Sequence, residues 1–242
     1  MNKITDNIFR HITLFSIVGI LTIIINDYLA FIVGMEIPKW FISPQDTISS
    51  LAFPLGVLIF IFLYGYYYKY ANDLFKDGNA PIPEASLNCF MVFIKMLPIT
   101  IFWNIYIFAA IFVGLGLWNL GTVPSNIYFI IIYWLIVFIN VIFIYYAKEL
   151  KLSKEFFSLN MLKNIIIKTF GRVCSVLIEA IALFGLTVYL LYQIYNHLTI
   201  IKDHGLYLAT VLLGLCCGAY IITLIHILYI KKIVRMLKNK FN

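Results

Sequence analysis

The sequence predicts an all-α, polytopic membrane bundle with six transmembrane helices and cytoplasmic N- and C-termini. Three observations predict it: an apolar composition, six apolar stretches of spanning length, and a one-sided distribution of Lys and Arg. Of the 242 residues, 63% are apolar and 12% are charged, and the mean hydropathy is +0.96. Soluble domains are about 25% charged. A soluble fold of this length could not bury so much apolar surface, which excludes a soluble enzyme, a secreted disulfide scaffold and a disordered chain.

Six stretches are long and apolar enough to cross a bilayer, whose hydrocarbon core of about 30 Å takes about 20 helical residues. None shows the period-two alternation of a membrane β-strand, so helices are predicted. The predicted spans are residues 12–34, 51–68, 89–118, 127–147, 173–195 and 206–230.

Local signals support the first three spans. The first is too long for a signal peptide, is interrupted by Asn26 and Asp27, and has no small-residue cleavage site after it. The second is followed by a Gly- and Pro-containing break at 76–83, because glycine permits left-handed turns and proline cannot continue a helix. Pro54 and Pro98 are predicted to kink the second and third spans.

The distribution of positive charge orients the bundle. Fifteen of the 18 Lys and Arg residues fall on one side, Lys39 and Lys202 fall on the other, and Lys95 lies inside a span. The side rich in Lys and Arg is the cytoplasmic side. In short loops beside spans these residues meet anionic headgroups, at about 1 kcal/mol each. The net charge of +7 therefore indicates membrane electrostatics and no nucleic-acid partner.

An amphipathic cytoplasmic segment is predicted over residues 156–171, between the fourth and fifth spans. Its apolar residues recur at helical spacing, with Lys163, Asn164 and Lys168 on the other side. These apolar residues are Met161, Leu162, Ile165, Ile166 and Phe170. We expect the segment to lie along the inner headgroups, with docking of a cytoplasmic partner as the alternative.

Four polar residues are predicted to form a layer in the inner leaflet. Lys95 and Glu179 each lie six residues into their spans from the cytoplasmic side, at a depth of about 9 Å. Asn140 and His226 approach the same layer from the fourth and sixth spans. An ionisable residue at the centre of a span costs about 2.5–3.5 kcal/mol, so we predict an ion pair between Lys95 and Glu179. The alternative is that the two residues stay apart, with Lys95 extending to the headgroups, or that Glu179 stays neutral.

A second pair of polar residues is predicted nearer the outer side. Asp27 lies toward the outer end of the first span, and Asn104 of the third span reaches a similar level. Acids that line a cavity can serve a proton or cation relay. Because Asp27 is close enough to the outer surface for hydration, a structural or helix-terminal role is favoured over a relay.

Two pairs of small residues predict close helix packing. Gly214 and Gly218 form a Gly-x-x-x-Gly step, and Ala110 and Gly114 have the same spacing. Small residues let backbones approach each other where lipid supplies no hydrophobic driving force between helices. Packing inside the bundle is favoured over dimerisation.

Short motifs in the middle of the chain carry a resemblance to a known family. Gly65-Tyr66-Tyr67 ends the second span, residues 78–84 read GNAPIPE, residues 93–98 read FIKMLP, and residues 156–160 read FFSLN. This layout resembles a large, uncharacterised bacterial family of multi-spanning proteins with a domain of unknown function. That family is similar to the membrane domain of some glycerophosphodiester phosphodiesterases. The resemblance implies location and architecture and supplies no catalytic residues.

The sequence offers no chemistry that would make the chain an enzyme. Its four cysteines lack metal or redox spacing, so free thiols are expected. The four histidines are scattered, and no phosphate-binding loop, catalytic triad or His-Glu-x-x-His helix is found. No catalytic residue, metal or cofactor is therefore predicted.

Three functional hypotheses remain. The leading one is a non-enzymatic, multi-pass protein of the bacterial cytoplasmic (inner) membrane that acts through a partner or through lipid or peptide binding. The second is the permease subunit of an ATP-driven exporter, whose partner would be a cytoplasmic ATPase. The third is an immunity protein that binds a membrane-active peptide or toxin. Membrane lipids are expected partners in every case, and the oligomeric state is left open.

Overall fold

The computed structural model describes residues 3–33, 47–119, 125–198 and 204–241, and within them it contains helices and no strand. The all-α fold class is therefore confirmed. The helices are α1 (Lys3–Val33), α2 (Thr47–Lys76), α3 (Asn88–Asn119), α4 (Ser125–Tyr146), α5 (Leu159–Leu198) and α6 (His204–Phe241). A short 3-10 turn, Lys154–Phe157, precedes α5.

Five helices are long and apolar enough to cross a membrane, as expected of a multi-pass membrane protein. Their apolar segments are Thr5–Ile25, Asn88–Leu117, Ile127–Tyr146, Leu159–Ile194 and Ala209–Phe241. Helix α2 contains the predicted second span, but on its described residues it is not one of these five helices. Many large apolar side chains on these helices are exposed, as lipid-facing side chains would be.

Buried side chains concentrate at one end of the bundle, which we call the basic end. The N-terminal halves of α1, α3 and α5 and the C-terminal halves of α2, α4 and α6 meet there. Its fully buried side chains include Tyr66, Trp103, Ile142, Ile165 and Ile230. The described basic side chains of this end include Arg10, Lys69, Lys76, Lys148, Lys151, Lys154, Lys163, Lys168, Arg172, Lys231, Lys232, Arg235, Lys238 and Lys240.

Helix α5 differs from the sequence-based expectation. The predicted amphipathic segment and the predicted fifth span form one continuous helix of 40 residues, about 60 Å long at 1.5 Å per residue. Leu162, Ile165 and Val173 are buried in the common core. Part of the apolar face of the segment therefore packs against the bundle, at Leu162 and Ile165, whereas Phe170 of the same face is half exposed. Residues 156 and 157 belong to the preceding 3-10 turn.

Glycines mark two close helix approaches. A Cβ atom on Gly65 of α2 would collide with the backbone carbonyl of Cys89 at the start of α3. A Cβ atom on Gly114 of α3 would collide with the ring of Tyr128 on α4, whose hydroxyl donates to the carbonyl of Ala110 at 2.5 Å. The predicted Ala110–Gly114 step thus accommodates an aromatic side chain of the neighbouring helix.

The Gly214–Gly218 step behaves differently at its two positions. A Cβ atom on Gly218 would lie 2.5 Å from Cδ1 of Leu191, so this glycine makes room for α5. A Cβ atom on Gly214 would meet nothing within 4 Å. Of these two glycines, Gly218 is the one whose lack of a side chain leaves space for Leu191 of α5 among the described residues.

Side-chain donors satisfy carbonyl groups between helices at the basic end. The buried Asn72 side chain of α2 donates to the carbonyls of Ala147 and Lys148, at 2.7 and 3.2 Å, just after α4 ends. Carbonyls at a helix end have no partner within their own helix. Trp103 similarly donates from Nε1 to the carbonyl of Phe156 at 2.9 Å, which attaches the 3-10 turn to α3.

Asn72→Ala should lower the free energy of unfolding by about 1–3 kcal/mol, because the buried Ala147 carbonyl and the partly buried Lys148 carbonyl lose their donor. Thermal unfolding of the purified chain in detergent measures this as a lower Tm. Asn164→Ala, an exposed change on α5, serves as the control and should have little effect. Equal losses in the two variants would contradict the proposed role of Asn72.

Candidate functional site at the basic end

Arg10 of α1 is the centre of a charged cluster. Its Nη2 atom lies 2.9 Å from Oδ2 of Asp6 and 2.8 Å from Oε1 of Glu84, and its Nη1 atom donates to the carbonyl of Ile82 at 2.7 Å. The Arg10 side chain is 15% exposed. A mostly buried guanidinium is well accommodated when several acceptors surround it. Arg10 therefore fixes the connection between α2 and α3 against α1.

A second ion pair joins α5 to α6. The Lys232 ammonium donates to Oε2 of Glu179, and both side chains are about half exposed. The acid thus has its partner directly across the contact between α5 and α6, which is extensive among the described residues. This corrects the predicted pairing of Glu179 with Lys95.

Lys95 has a different environment on α3. Its side chain is exposed and makes no ion pair with any described residue. The carbonyl of Lys95 accepts a 3.1 Å hydrogen bond from the Tyr146 hydroxyl. The structure therefore separates Lys95 from the other three members of the predicted polar layer.

Asn140 and His226, by contrast, line one cavity of about 330 Å³ between α4, α5 and α6. The Oδ1 atom of Asn140 is buried and has no hydrogen-bond partner among the described residues. The His226 ring makes an edge contact with Tyr67, with 4.5 Å between centroids, and stacks on Tyr229 at 6.0 Å. The predicted layer is thus divided between this mainly apolar cavity and the Glu179–Lys232 pair.

The predicted outer-side pair is only partly covered by the structure. The Asp27 side chain lies outside the described residues. Asn104 is half-buried beside the fully buried Trp103, and within the described part of the chain it makes no hydrogen bond through its side chain.

A cavity of about 820 Å³ lies at the basic end beside the Arg10 cluster and is called the polar cavity. Charges of both signs line it: Asp6 and Asp77, Arg10 and Lys231. His11 lies at its wall with Nδ1 2.6 Å from the Tyr220 hydroxyl. Burial raises the pKa of Tyr70, another lining residue, so its hydroxyl stays neutral near pH 7. Among the described residues, Lys231 has no ion-pair partner.

An apolar groove of about 570 Å³ runs along α5 and α6 next to the polar cavity. Leu224 and Leu228 of α6 line both spaces. Eight of the other twelve groove residues are Leu or Ile, including Leu186, Leu190 and Leu213, and the rest are Thr187, Thr210, Gly214 and Cys217. The two spaces therefore adjoin at Leu224 and Leu228, with charged and polar groups lining the first and mainly apolar groups lining the second.

Sequence reasoning missed the Arg10 cluster and the role of Lys232. Asp6 and Arg10 have helical i, i+4 spacing, which is a signal for an ion pair. Their link to Glu84, however, depends on how the connection after α2 folds back. Lys232 lies beyond the predicted sixth span, where a lysine signals topology and does not reveal its partner.

The described residues contain no group of three or more His, Cys, Asp or Glu side chains that could hold a metal ion. The four cysteines are free thiols, as predicted. Cys216 contributes to packing, with its Sγ 3.8 Å from the carbonyl of Gly19 on α1.

Comparison with known proteins gave no match to a family model, a curated protein or a solved structure.

A double-mutant cycle tests the assignment of Glu179. Glu179→Gln and Lys232→Gln should show a coupling of about 0.2–1 kcal/mol, the range of exposed ion pairs. Glu179→Gln and Lys95→Gln should be additive, because these side chains do not meet. Unfolding free energies in detergent measure both cycles. Coupling of Glu179 to Lys95 without coupling to Lys232 would contradict the structure.

Proposed function

We propose that the protein is a non-enzymatic, multi-pass protein of the bacterial cytoplasmic (inner) membrane that binds an amphipathic lipid. The observation that carries this proposal is the sharing of Leu224 and Leu228 by the polar cavity and the apolar groove. A molecule with a polar head and an aliphatic chain matches such a surface, because each part meets groups of its own polarity.

The charges of the polar cavity favour a zwitterionic headgroup. Lys231 could meet a phosphate, and Asp77, whose Oδ1 accepts from the backbone N–H of Asn79, could meet an ammonium group through its other oxygen. Arg10 and Asp6 are largely engaged with each other, and Arg10 also with Glu84. A phosphoethanolamine headgroup carries both charges that such a lining complements.

The same proposal sets the position of the membrane. Ile230 ends the apolar run of α6, and Lys231, Lys232 and Arg235 follow it. Basic residues beside a span mark the cytoplasmic boundary. The Glu179–Lys232 pair would then lie at the inner boundary of the hydrocarbon, and the basic end would extend into the headgroups and cytoplasm. Six spans, including α2, complete this arrangement.

The other roles remain sequence-based hypotheses. A permease subunit would need contacts with an ATPase, and an immunity protein would need a membrane-active peptide or toxin as partner. The resemblance to the uncharacterised multi-spanning family is in keeping with a membrane role without catalysis. The continuous polar and apolar surface favours lipid binding over these alternatives.

Native mass spectrometry of the purified chain with added phosphatidylethanolamine tests the proposal. Leu228→Trp places a bulky ring where the two spaces meet and should reduce lipid adducts by about tenfold, equivalent to about 1.4 kcal/mol. Lys231→Gln should also reduce them, because it removes a cation from the headgroup space.

Ile178→Trp is the matched control, since Ile178 is exposed on α5 and lines neither space. It should bind lipid as the wild type does. Unchanged adducts in Leu228→Trp and Lys231→Gln would refute lipid binding at this surface. Selective binding of an amphipathic peptide, with no lipid adduct, would favour the immunity hypothesis instead.

A further inference from the structure

A small concave site on the outside of the basic end is separate from the polar cavity. It has a volume of about 260 Å³ and shares no lining residue with the polar cavity or the apolar groove. Helices α5 and α6 form it together. Its lining residues are Arg172, Ser175, Val176, Glu179, Lys232, Arg235, Met236 and Asn239.

The polar residues of this site follow the same spacing on both helices. On α5 they occupy positions 172, 175 and 179, and on α6 they occupy positions 232, 235 and 239. Positions three, four and seven apart lie on one face of a helix. The two helices pack side by side here, as the Glu179–Lys232 pair shows. Two polar faces therefore meet to form the site.

The site carries more positive than negative charge. It contains three cations, Arg172, Lys232 and Arg235, and one acid, Glu179. The acid is engaged by Lys232. Neither guanidinium has an ion-pair partner within the described part of the chain. The excess charge is therefore complementary to an anion.

The hydrogen-bond donors of the site indicate which kind of anion it would bind. Two guanidinium groups can bind the oxygens of a phosphate in a forked geometry. The hydroxyl of Ser175 and the amide of Asn239 add neutral donors at the same site. Lys231 and Lys232 directly follow the apolar run of α6, so the membrane position given with the proposed function would put the site at the level of lipid phosphates.

We infer that the phosphate of an anionic phospholipid binds to Arg172, Ser175, Arg235 and Asn239. This site is distinct from the polar cavity and the apolar groove of the proposed function. Glu179 limits the affinity of this site, because it competes with the lipid for Lys232. This assignment predicts opposite effects for two kinds of substitution. Loss of the arginine charges weakens lipid binding, and loss of the Glu179 charge strengthens it.

The experiment uses the full purified chain and native mass spectrometry with phosphatidylglycerol, phosphatidylcholine or inorganic phosphate alone. The wild type should prefer phosphatidylglycerol over phosphatidylcholine. Arg172→Gln combined with Arg235→Gln should weaken phosphatidylglycerol binding by about tenfold or more. Glu179→Gln should strengthen it. Phosphatidylethanolamine adducts should survive the arginine changes. Their survival would show that the variant is folded and that this site is separate from the polar cavity and the apolar groove.

Lys151→Gln combined with Lys154→Gln is the matched control, because it removes the same charge from exposed positions of the same end. It should keep the preference for phosphatidylglycerol. Three results would overturn the inference: a full preference in the arginine double variant, an equal loss in the lysine control, or inorganic phosphate alone binding and displacing the lipid. An equal loss in the lysine control would mean that the lipid is held by the general positive charge of the basic end. Displacement by inorganic phosphate would mean that the site binds free phosphate.

Discussion

Close packing at the basic end is the constraint on which the rest of the structure depends. Between helices in hydrocarbon there is no hydrophobic driving force, because lipid tails are as apolar as the side chains. Where helices leave the hydrocarbon, burial of apolar side chains again becomes favourable. The buried residues of all six helices meet at this end, from Leu14 of α1 to Leu237 of α6. The long α5 and α6 helices extend the core beyond the length that a membrane requires.

This packing also determines where polar groups are found. Asn72 and Trp103 donate to carbonyls next to helix ends, and Arg10 joins α1 to the connection after α2. Toward the far end, α5 and α6 leave an apolar groove between them. The proposed lipid surface and the inferred phosphate site both lie where the packed end meets that more open region.

The fold was largely predictable from sequence because apolar length and charge asymmetry are properties of single segments. The Ala110–Gly114 step was predictable for the same reason, since small residues at this spacing allow close approach. The continuity of α5 was not predictable from sequence, because nothing in residues 156–173 shows whether the apolar face of this segment contacts lipid or protein. Buried Leu162 and Ile165 show that it meets protein.

The predicted Lys95–Glu179 pair failed for a physical reason. Helical rise gives the depth of a residue, but it does not say which neighbour the residue faces. Helix α3 packs mainly on α2 and α4, whereas α5 packs mainly on α6, so Glu179 finds its partner on α6. Asn140 and His226 did come together, because α4 and α6 are neighbours.

The most direct test is the depth of α5 in a lipid nanodisc. Spin labels on single cysteines at positions 167, 178 and 186, with the native cysteines replaced, report relative exposure to oxygen and to a water-soluble nickel complex. If the basic end extends out of the hydrocarbon, the label at position 167 should be more exposed to the nickel complex than to oxygen. Exposure to the two should be similar at 178, and exposure to oxygen should be greater at 186. If the label at 167 were exposed to oxygen over the nickel complex as strongly as the label at 186, the basic end could not lie outside the hydrocarbon.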